Sequence, residues 1–185
     1  MRKVMFLPMA LLAMGILAGA AQAEEVWGKP EDVVGKPAPA VTLDLLGGGK
    51  LDLAEFKGKK FVVLDFWATW CPWCRKSTEK FVATAKAYAD KDVVFYKVAV
   101  GQDAKAVGEY WEKNKVEAKV ALDSERKASD AYWVDLIPHI VVIDKEGKVV
   151  RVAVGEDKVG VALDEELEKH FGKPTVAATA AQPAS

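Results

Sequence analysis

The residues of this chain whose type and spacing most directly suggest chemistry are its two cysteines, Cys71 and Cys74. The segment Trp70-Cys71-Pro72-Trp73-Cys74 lies where an apolar, strand-like run passes into a helical pattern. Cysteines three positions apart at such a junction can bond to each other. That bond would close so short a loop that it would add only about 2 kcal/mol to stability. The pair is therefore predicted to take part in thiol-disulfide exchange rather than to form a structural disulfide.

The first cysteine is predicted to be the nucleophile because it lies at the start of the helix. Unpaired backbone N–H groups and the helix dipole favour a negative sulfur there, so we expect Cys71 to be exposed with a low pKa. Cys74 lies one turn further in and should be buried, with a higher pKa. In reduction, Cys71 would attack a substrate disulfide, and Cys74 would then attack Cys71 and release the product. Oxidation would run the same steps in reverse.

Two other uses of such a pair lack the residues that they need. A zinc site takes about four ligands, and besides the cysteines the chain has only His139 and His170 as soft ligands. Haem attachment requires a histidine directly after the second cysteine, where Arg75 stands. We therefore expect no metal and no other cofactor.

Composition and charge narrow the class of protein. The chain has 185 residues, 51% of them hydrophobic and 29% charged, which fits one globular domain. Its formal net charge of −1 argues against a nucleic-acid partner, because nucleic-acid binders usually carry a basic face.

Residues 1–23 have the pattern of a secretory signal peptide. Arg2 and Lys3 precede a long uncharged run, and Ala21-Gln22-Ala23 fits a small-x-small cleavage site. The alternative is an uncleaved N-terminal membrane anchor that leaves the domain facing the periplasm, because the run barely reaches spanning length. Cleavage near Ala23 would make the protein periplasmic or secreted, where the cytosolic reductants no longer hold thiols reduced.

The elements that must position the cysteines alternate between strands and helices. Strands are predicted at 41–45, 51–53, 61–67, 93–100, 120–122, 140–143 and 149–154. Helices are predicted at 72–89, 103–114, 124–132 and 158–171. Helical crossovers imply parallel strands, and a short turn at 144–147 implies an antiparallel pair. The predicted fold class is α/β, with a mixed central sheet, helices on both faces and an N-terminal β-hairpin. The domain should span residues 24–172, followed by a disordered tail at 173–185.

The segment from Asp65 to Arg75 resembles the active-site segment of thioredoxin-fold proteins. Residues 34–39, 51–59 and 101–103 are similar, more specifically, to exported TlpA/ResA-type thiol-disulfide oxidoreductases of the redoxin family. This resemblance covers about residues 33–155. It implies a thioredoxin-like fold and exchange with disulfides or dithiols of other extracytoplasmic proteins, with reduction favoured. A membrane protein would be a suitable electron donor.

The resemblance also assigns roles outside the cysteine pair. Pro138 matches the family's cis-proline, where the backbone of Ile137 would hydrogen-bond an extended substrate segment. Asp65 matches the buried aspartate of thioredoxin. Burial should raise its pKa, so that it could move a proton to and from Cys74. The alternative for Asp65 is a structural ion pair with a lysine such as Lys97.

Three tryptophans accompany the cysteines. Trp67 is expected to pack as a wall beside the disulfide, where it could tune the thiols. The alternative is simple core packing. Trp70 and Trp73 are expected to form an apolar platform for a protein partner.

The chain also departs from TlpA/ResA-type proteins. Ser77 and Glu79 stand where many relatives carry Glu and Pro, and Asp65 stands where many carry Asn, so the cytochrome-maturation role of some relatives cannot be assumed. His139 stands where Thr commonly follows the cis-proline. Its imidazole could tune the thiolate, and the alternative is a packed strand residue.

Two other functions stay open. A thiol peroxidase of the redoxin group needs a Thr three residues before its cysteine, whereas Thr69 is two before Cys71. A binding module that uses the thioredoxin fold only as a scaffold would not need the intact pair together with Asp65 and Pro138.

Overall fold

The computed structural model describes residues 29–174. The predicted signal peptide and residues 175–185 of the predicted tail lie outside this range. Within it, seven strands form one sheet: β1 Thr42–Leu45, β2 Lys50–Asp52, β3 Phe61–Trp67, β4 Val93–Val100, β5 Lys119–Asp123, β6 His139–Ile143 and β7 Val149–Val154. The same part of the chain forms four α-helices: α1 Pro72–Ala87, α2 Ala104–Asn114, α3 Lys127–Ala131 and α4 Glu156–Phe171. Short 3-10 helices lie at Pro30–Val33 and Leu53–Phe56.

The sheet is mixed, as the sequence predicts. Its strand order is β2-β1-β5-β4-β3-β6-β7. The central strands β3, β4 and β5 run parallel, and the remaining neighbours pair antiparallel. The predicted N-terminal hairpin is β1–β2, and β1 also pairs with β5, so the hairpin extends the sheet at one edge.

Helices cover both faces of this sheet. The crossovers β3-α1-β4 and β4-α2-β5 move along the sheet in the same direction, and right-handed connections therefore place α1 and α2 on one face. Helix α4 packs beside α1 on that face, whereas α3 and the 3-10 helix at Pro30–Val33 pack on the other. Between residues 29 and 174, none of the helices combines the length and the apolar character needed to cross a membrane.

Strand β3 lies at the centre of the sheet and leads directly to the cysteines. All seven of its residues are buried, which explains why its sequence is almost continuously apolar. Val63 and Trp67 face α1 and α2, and Leu64 and Phe66 face the opposite side. Asp65 is the polar exception, and it too is fully buried.

Helix α3 is shorter than the predicted 124–132 segment. Arg126 has a φ of 60°, which an α-helix does not allow, so the helix begins only at Lys127. The carboxylate of Asp123 accepts hydrogen bonds from the backbone N–H groups of Ala128 and Ser129 and so caps the helix from its preceding strand.

Candidate active site

Cys71 and Cys74 form a disulfide bond at the N-terminus of α1. Cys71 is the residue that caps the helix, and Pro72 is the first helical residue. A proline suits this position because its fixed φ matches the helix and no N–H is needed there. The backbone N–H of Cys74 donates a hydrogen bond to the Cys71 Sγ over 3.1 Å. An otherwise unpaired helix N–H thus points at the first sulfur.

The burial of the two cysteines agrees with prediction for one and not for the other. Cys74 is fully buried, as expected. The expected exposure of Cys71 is wrong for this disulfide-bonded state, since only 2% of the residue is exposed. Its Sγ lies 3.8 Å from the carbonyl oxygen of Ile137, so the loop before β6 covers it.

The loop that covers the disulfide contains the predicted cis-proline. The Ile137–Pro138 peptide bond is cis. Ile137 is partly buried and packs against the cluster that holds the cysteines as well as against the main core. The carbonyl of Ile137 is thus placed next to the first sulfur.

Asp65 and Lys97 form a fully buried ion pair beneath α1. They are register partners on the parallel strands β3 and β4, and the Lys97 Nζ donates a hydrogen bond to the Asp65 Oδ2 over 2.6 Å. The ion pair that the sequence offered as the alternative for Asp65 is therefore present. The ion pair is compatible with proton transfer by Asp65, because the Asp65 Oδ1 has no hydrogen-bond partner among the described residues.

Burial governs the protonation of both members of this pair. It raises the pKa of Asp65, as predicted, and the nearby Lys97 ammonium opposes that rise. Burial likewise lowers the pKa of Lys97, opposed by the Asp65 carboxylate. Burial thus disfavours the charge on each group, and the contact between the two groups opposes that effect.

Thr78 connects this buried pair to the active-site helix. Its Oγ1 accepts a hydrogen bond from the Lys97 Nζ over 3.0 Å and donates one to the backbone carbonyl of Cys74 over 2.7 Å. The helical period puts Thr78 on the same face of α1 as Cys74, but its contact with Lys97 depends on how the helix crosses β4.

Trp67 packs in one buried cluster with both cysteines. Its ring centroid lies 5.3 Å from that of Tyr110 and 4.9 Å from that of Trp111, so α2 holds it against the sheet. Both a wall next to the disulfide and simple core packing agree with this position, and a tuning role for Trp67 stays a prediction.

Three apolar side chains around the disulfide are exposed: Trp70 (68%), Trp73 (54%) and Leu136 (70%). We call these three residues the apolar rim. Each is adjacent in the chain to a residue of the site. The sequence predicted the two tryptophans as a platform and missed Leu136, although its place directly before Ile137 was a usable signal.

The ring of Trp73 has a charged neighbour, Lys76. The Lys76 Nζ lies 4.8 Å from the ring centroid, and it also pairs with the Glu156 carboxylate of α4 at 3.3 Å. A cation over the face of an indole is attractive. Helix α4 thus helps to orient a side chain that lies between the two cysteines in sequence.

The imidazole of His139 is buried on the side of the sheet away from the cysteine cluster. It packs edge-on against Phe66 with centroids 5.9 Å apart, and neither ring nitrogen has a hydrogen-bond partner among the described residues. Burial lowers its pKa to about 4, so the ring is uncharged at neutral pH. His139 is thus a packed strand residue, as in the alternative that the sequence offered, and a tuning role for it stays a prediction.

Gln102 is a positioning residue that sequence reasoning missed. Its Oε1 accepts a hydrogen bond from the Thr69 N–H over 2.8 Å, and its Nε2 donates one to the Thr69 Oγ1 over 2.7 Å. The two bonds fix the loop that leads into Cys71. The usable signal was topological, because the segments after neighbouring parallel strands meet at the same edge of a sheet.

Comparison with known proteins connects this geometry to a family. The Redoxin family model matches residues 33–169. The chain is 35% identical to the thiol-disulfide oxidoreductase ResA of Bacillus subtilis over 128 residues, which is 69% of this chain and 71% of that protein. It is 29% identical to ResA of Bacillus cereus over 174 residues, covering 94% and 97% of the two chains.

A solved structure supports the same reading of the fold. The thioredoxin domain of a thiol-disulfide oxidoreductase from Bacteroides vulgatus superposes with a TM-score of 0.63 at 31% identity. The match covers 72% of this chain and 96% of that one. The predicted thioredoxin-like fold is therefore confirmed.

Proposed function

We propose that this chain, which belongs to the Redoxin family and is a thiol-disulfide oxidoreductase, acts outside the cytosol on cysteines of other proteins, as a reductant more readily than as an oxidant. The observation that carries the proposal is the disulfide at the N-terminus of α1, with Cys71 as the capping residue and the cis Ile137–Pro138 bond beside it. A helix N-terminus stabilises a thiolate at the first cysteine. Such a thiolate can attack a disulfide.

In the reduced protein, the Cys71 thiolate would attack one sulfur of a substrate disulfide. A mixed disulfide forms, and the other substrate sulfur leaves as a thiolate and takes up a proton. Cys74 then loses its proton to the Asp65 carboxylate and attacks the Cys71 sulfur. The Cys71–substrate bond breaks, the second substrate sulfur leaves, and the Cys71–Cys74 disulfide remains. Two electrons have passed to the substrate.

Substrate binding would combine backbone and side-chain contacts. An extended segment that carries the substrate cysteine would pair with the backbone of Ile137, which is next to the Cys71 sulfur. The apolar rim would cover the side chains of that segment and keep water from the reacting sulfurs.

A reductant outside the cytosol must receive electrons across the membrane. Each turnover leaves the Cys71–Cys74 disulfide, and the compartment does not supply a reducing glutathione pool. We therefore propose a membrane protein with a dithiol as the electron donor. The support for export is the signal-peptide pattern of residues 1–23.

The test is the reduction potential of the Cys71–Cys74 couple, measured in a series of glutathione or dithiothreitol buffers. A value close to that of thioredoxin, about −270 mV, would support the reductant role, and one close to that of DsbA, about −120 mV, would overturn it. The wild type should reduce insulin, and the Cys71→Ser/Cys74→Ser double variant should not. Biological activity that survives in the double variant would indicate a scaffold instead, and rapid peroxide consumption by the wild type would indicate a peroxidase.

Export is tested separately by expressing the full chain and fractionating the cells. The mature protein should be periplasmic or secreted and should begin at Glu24 by intact mass. A full-length product in the membrane fraction would indicate the uncleaved anchor.

A further inference from the structure

Two hydroxyl groups on α1 donate hydrogen bonds to the same backbone carbonyl, and one of them also accepts a hydrogen bond from a buried lysine. Ser77 Oγ and Thr78 Oγ1 each donate a hydrogen bond to the carbonyl oxygen of Cys74, over 3.0 Å and 2.7 Å. Thr78 Oγ1 also accepts a hydrogen bond from the Lys97 Nζ over 3.0 Å. The two residues are therefore matched in their contact with Cys74 and differ in their contact with Lys97.

The contact with Thr78 matters because Lys97 is fully buried. An ammonium group has three N–H donors and no acceptor. One donor binds Asp65 and one binds Thr78, while the rings of Trp67 and Phe81 lie 5.3 Å from the nitrogen. Of the two oxygen atoms described as accepting hydrogen bonds from Lys97, that of Thr78 is the uncharged one. A buried cation that loses such a partner is strongly disfavoured.

We propose that Thr78 is a positioning residue for the resolving step, because its hydroxyl ties the helix turn that carries Cys74 to Lys97 and, through Lys97, to Asp65. This inference rests on the proposed function. In the resolving step, the Cys74 proton passes to the Asp65 carboxylate, the Cys74–Cys71 bond forms, and the Cys71–substrate bond breaks with the substrate sulfur leaving as a thiolate.

The physical link runs from the hydroxyl to the basicity of Asp65. Without the Thr78 oxygen, the Lys97 ammonium is less well solvated, and its proton shifts toward the adjacent carboxylate. A protonated Asp65 cannot accept the Cys74 proton. Loss of the hydroxyl should therefore slow the second step and leave the first, in which the Cys71 thiolate attacks the substrate, largely unchanged.

The experiment follows one turnover of the reduced protein with a peptide disulfide, by acid quench and mass spectrometry. The Thr78→Val variant should form the mixed disulfide at nearly the wild-type rate and lose it about tenfold more slowly, the effect of one hydrogen bond to a charged group. Thr78→Ser, which restores a hydroxyl, should resolve at nearly the wild-type rate. The matched control is Ser77→Ala, which removes the other hydroxyl on the Cys74 carbonyl and should leave both rates unchanged.

A coupled variant distinguishes positioning from simple packing. In an Asp65→Asn background, Thr78→Val should add no further slowing, since the base through which it acts is gone. Equal slowing in both backgrounds, wild-type resolution by Thr78→Val, or slowing by Ser77→Ala as large as that by Thr78→Val would each overturn the inference. A wild-type protein that forms no mixed disulfide would instead overturn the proposed function. Should Thr78→Val fail to fold, Thr78→Ala compared with Thr78→Ser gives the same decision.

Discussion

The backbone amide of Cys74 donates a hydrogen bond to the sulfur of Cys71, 3.1 Å away. Cys71 caps α1, so this N–H is one of the four that the helix itself leaves without a carbonyl. Pro72 follows the cap and contributes no N–H. One free donor of the first turn is thus directed at the sulfur that would carry the negative charge in the reduced protein.

The first prediction concerns which sulfur is reactive. Cys71 of the reduced protein should ionise with a pKa below that of free cysteine, about 8.5, because of this donor and the helix dipole. Alkylation at increasing pH, followed by mass spectrometry of peptides, should therefore modify Cys71 before Cys74. The Cys74→Ser variant should accumulate mixed disulfides with its substrates. Equal trapping by Cys71→Ser would contradict the assigned roles.

A second prediction concerns the Asp65–Lys97 pair. Removal of one member leaves an uncompensated buried charge, so Asp65→Leu or Lys97→Met should each lower the free energy of unfolding by about 3–5 kcal/mol. The double variant should lose much less than the sum of the two, because no unpaired charge remains. Urea denaturation of the four proteins measures this difference.

An exposed pair gives the control for that cycle. Lys50 and Asp44 lie 2.9 Å apart on the surface hairpin, with most of both side chains in solvent. Lys50→Met should leave the unfolding free energy unchanged within error, since exposed ion pairs contribute little. Additive losses at Asp65 and Lys97 would mean that the two groups are not coupled as their distance implies.

The sequence predicted the elements that carry the site because local signals define them. Strand β3 was predicted with its observed bounds, since an apolar run of its length fits a strand buried on both faces. The start of α1 was predicted from Pro72, and the cap by Cys71 follows from it. The cis bond before Pro138 came from resemblance rather than from physics, because proline before a strand is usually trans.

The sequence could not predict contacts that arise only when distant segments meet. The burial of Cys71 depends on the loop at Ile137, which precedes β6, the antiparallel neighbour of β3. The clamp of Gln102 on Thr69 depends on the order of the parallel strands. The bond from Lys97 to Thr78 depends on the crossing of a helix over a strand. Each of these is tertiary, so periodicity and motif spacing carry no signal for it.

A third prediction concerns the apolar rim. Trp73→Ala and Leu136→Ala should raise the KM for a protein disulfide several-fold, because each removes exposed apolar area that a partner would bury. Reaction with dithiothreitol, which is too small to span the rim, should stay close to the wild-type rate. Val161→Ala on α4 is the control, since Val161 is also an exposed apolar residue but lines a groove with Arg151 and Glu165. An unchanged KM in both rim variants would show that the rim does not bind substrate.

A fourth prediction follows from the buried ring of His139. Its pKa is lowered from the ordinary value of about 6.5 to about 4 in the folded protein. Between these values the unfolded chain binds more protons than the folded one, so the free energy of unfolding rises with pH. The contribution is fully present above pH 6.5 and is lost as the pH falls toward 4. The slope from this one group should reach at most about 1.4 kcal/mol per pH unit.

Other groups titrate in the same range, so the measurement is a difference between two proteins. His139→Phe keeps an aromatic ring against Phe66 and removes the titrating nitrogens, neither of which has a hydrogen-bond partner among residues 29–174. Urea unfolding from pH 4 to pH 7.5 should give a smaller stability loss in acid for this variant than for the wild type. The two curves should run parallel above pH 6.5, where both side chains are uncharged. Parallel curves down to pH 4 would mean that the imidazole is already solvated in the folded protein. A reduction potential altered by His139→Phe at neutral pH would show that the residue also tunes the disulfide.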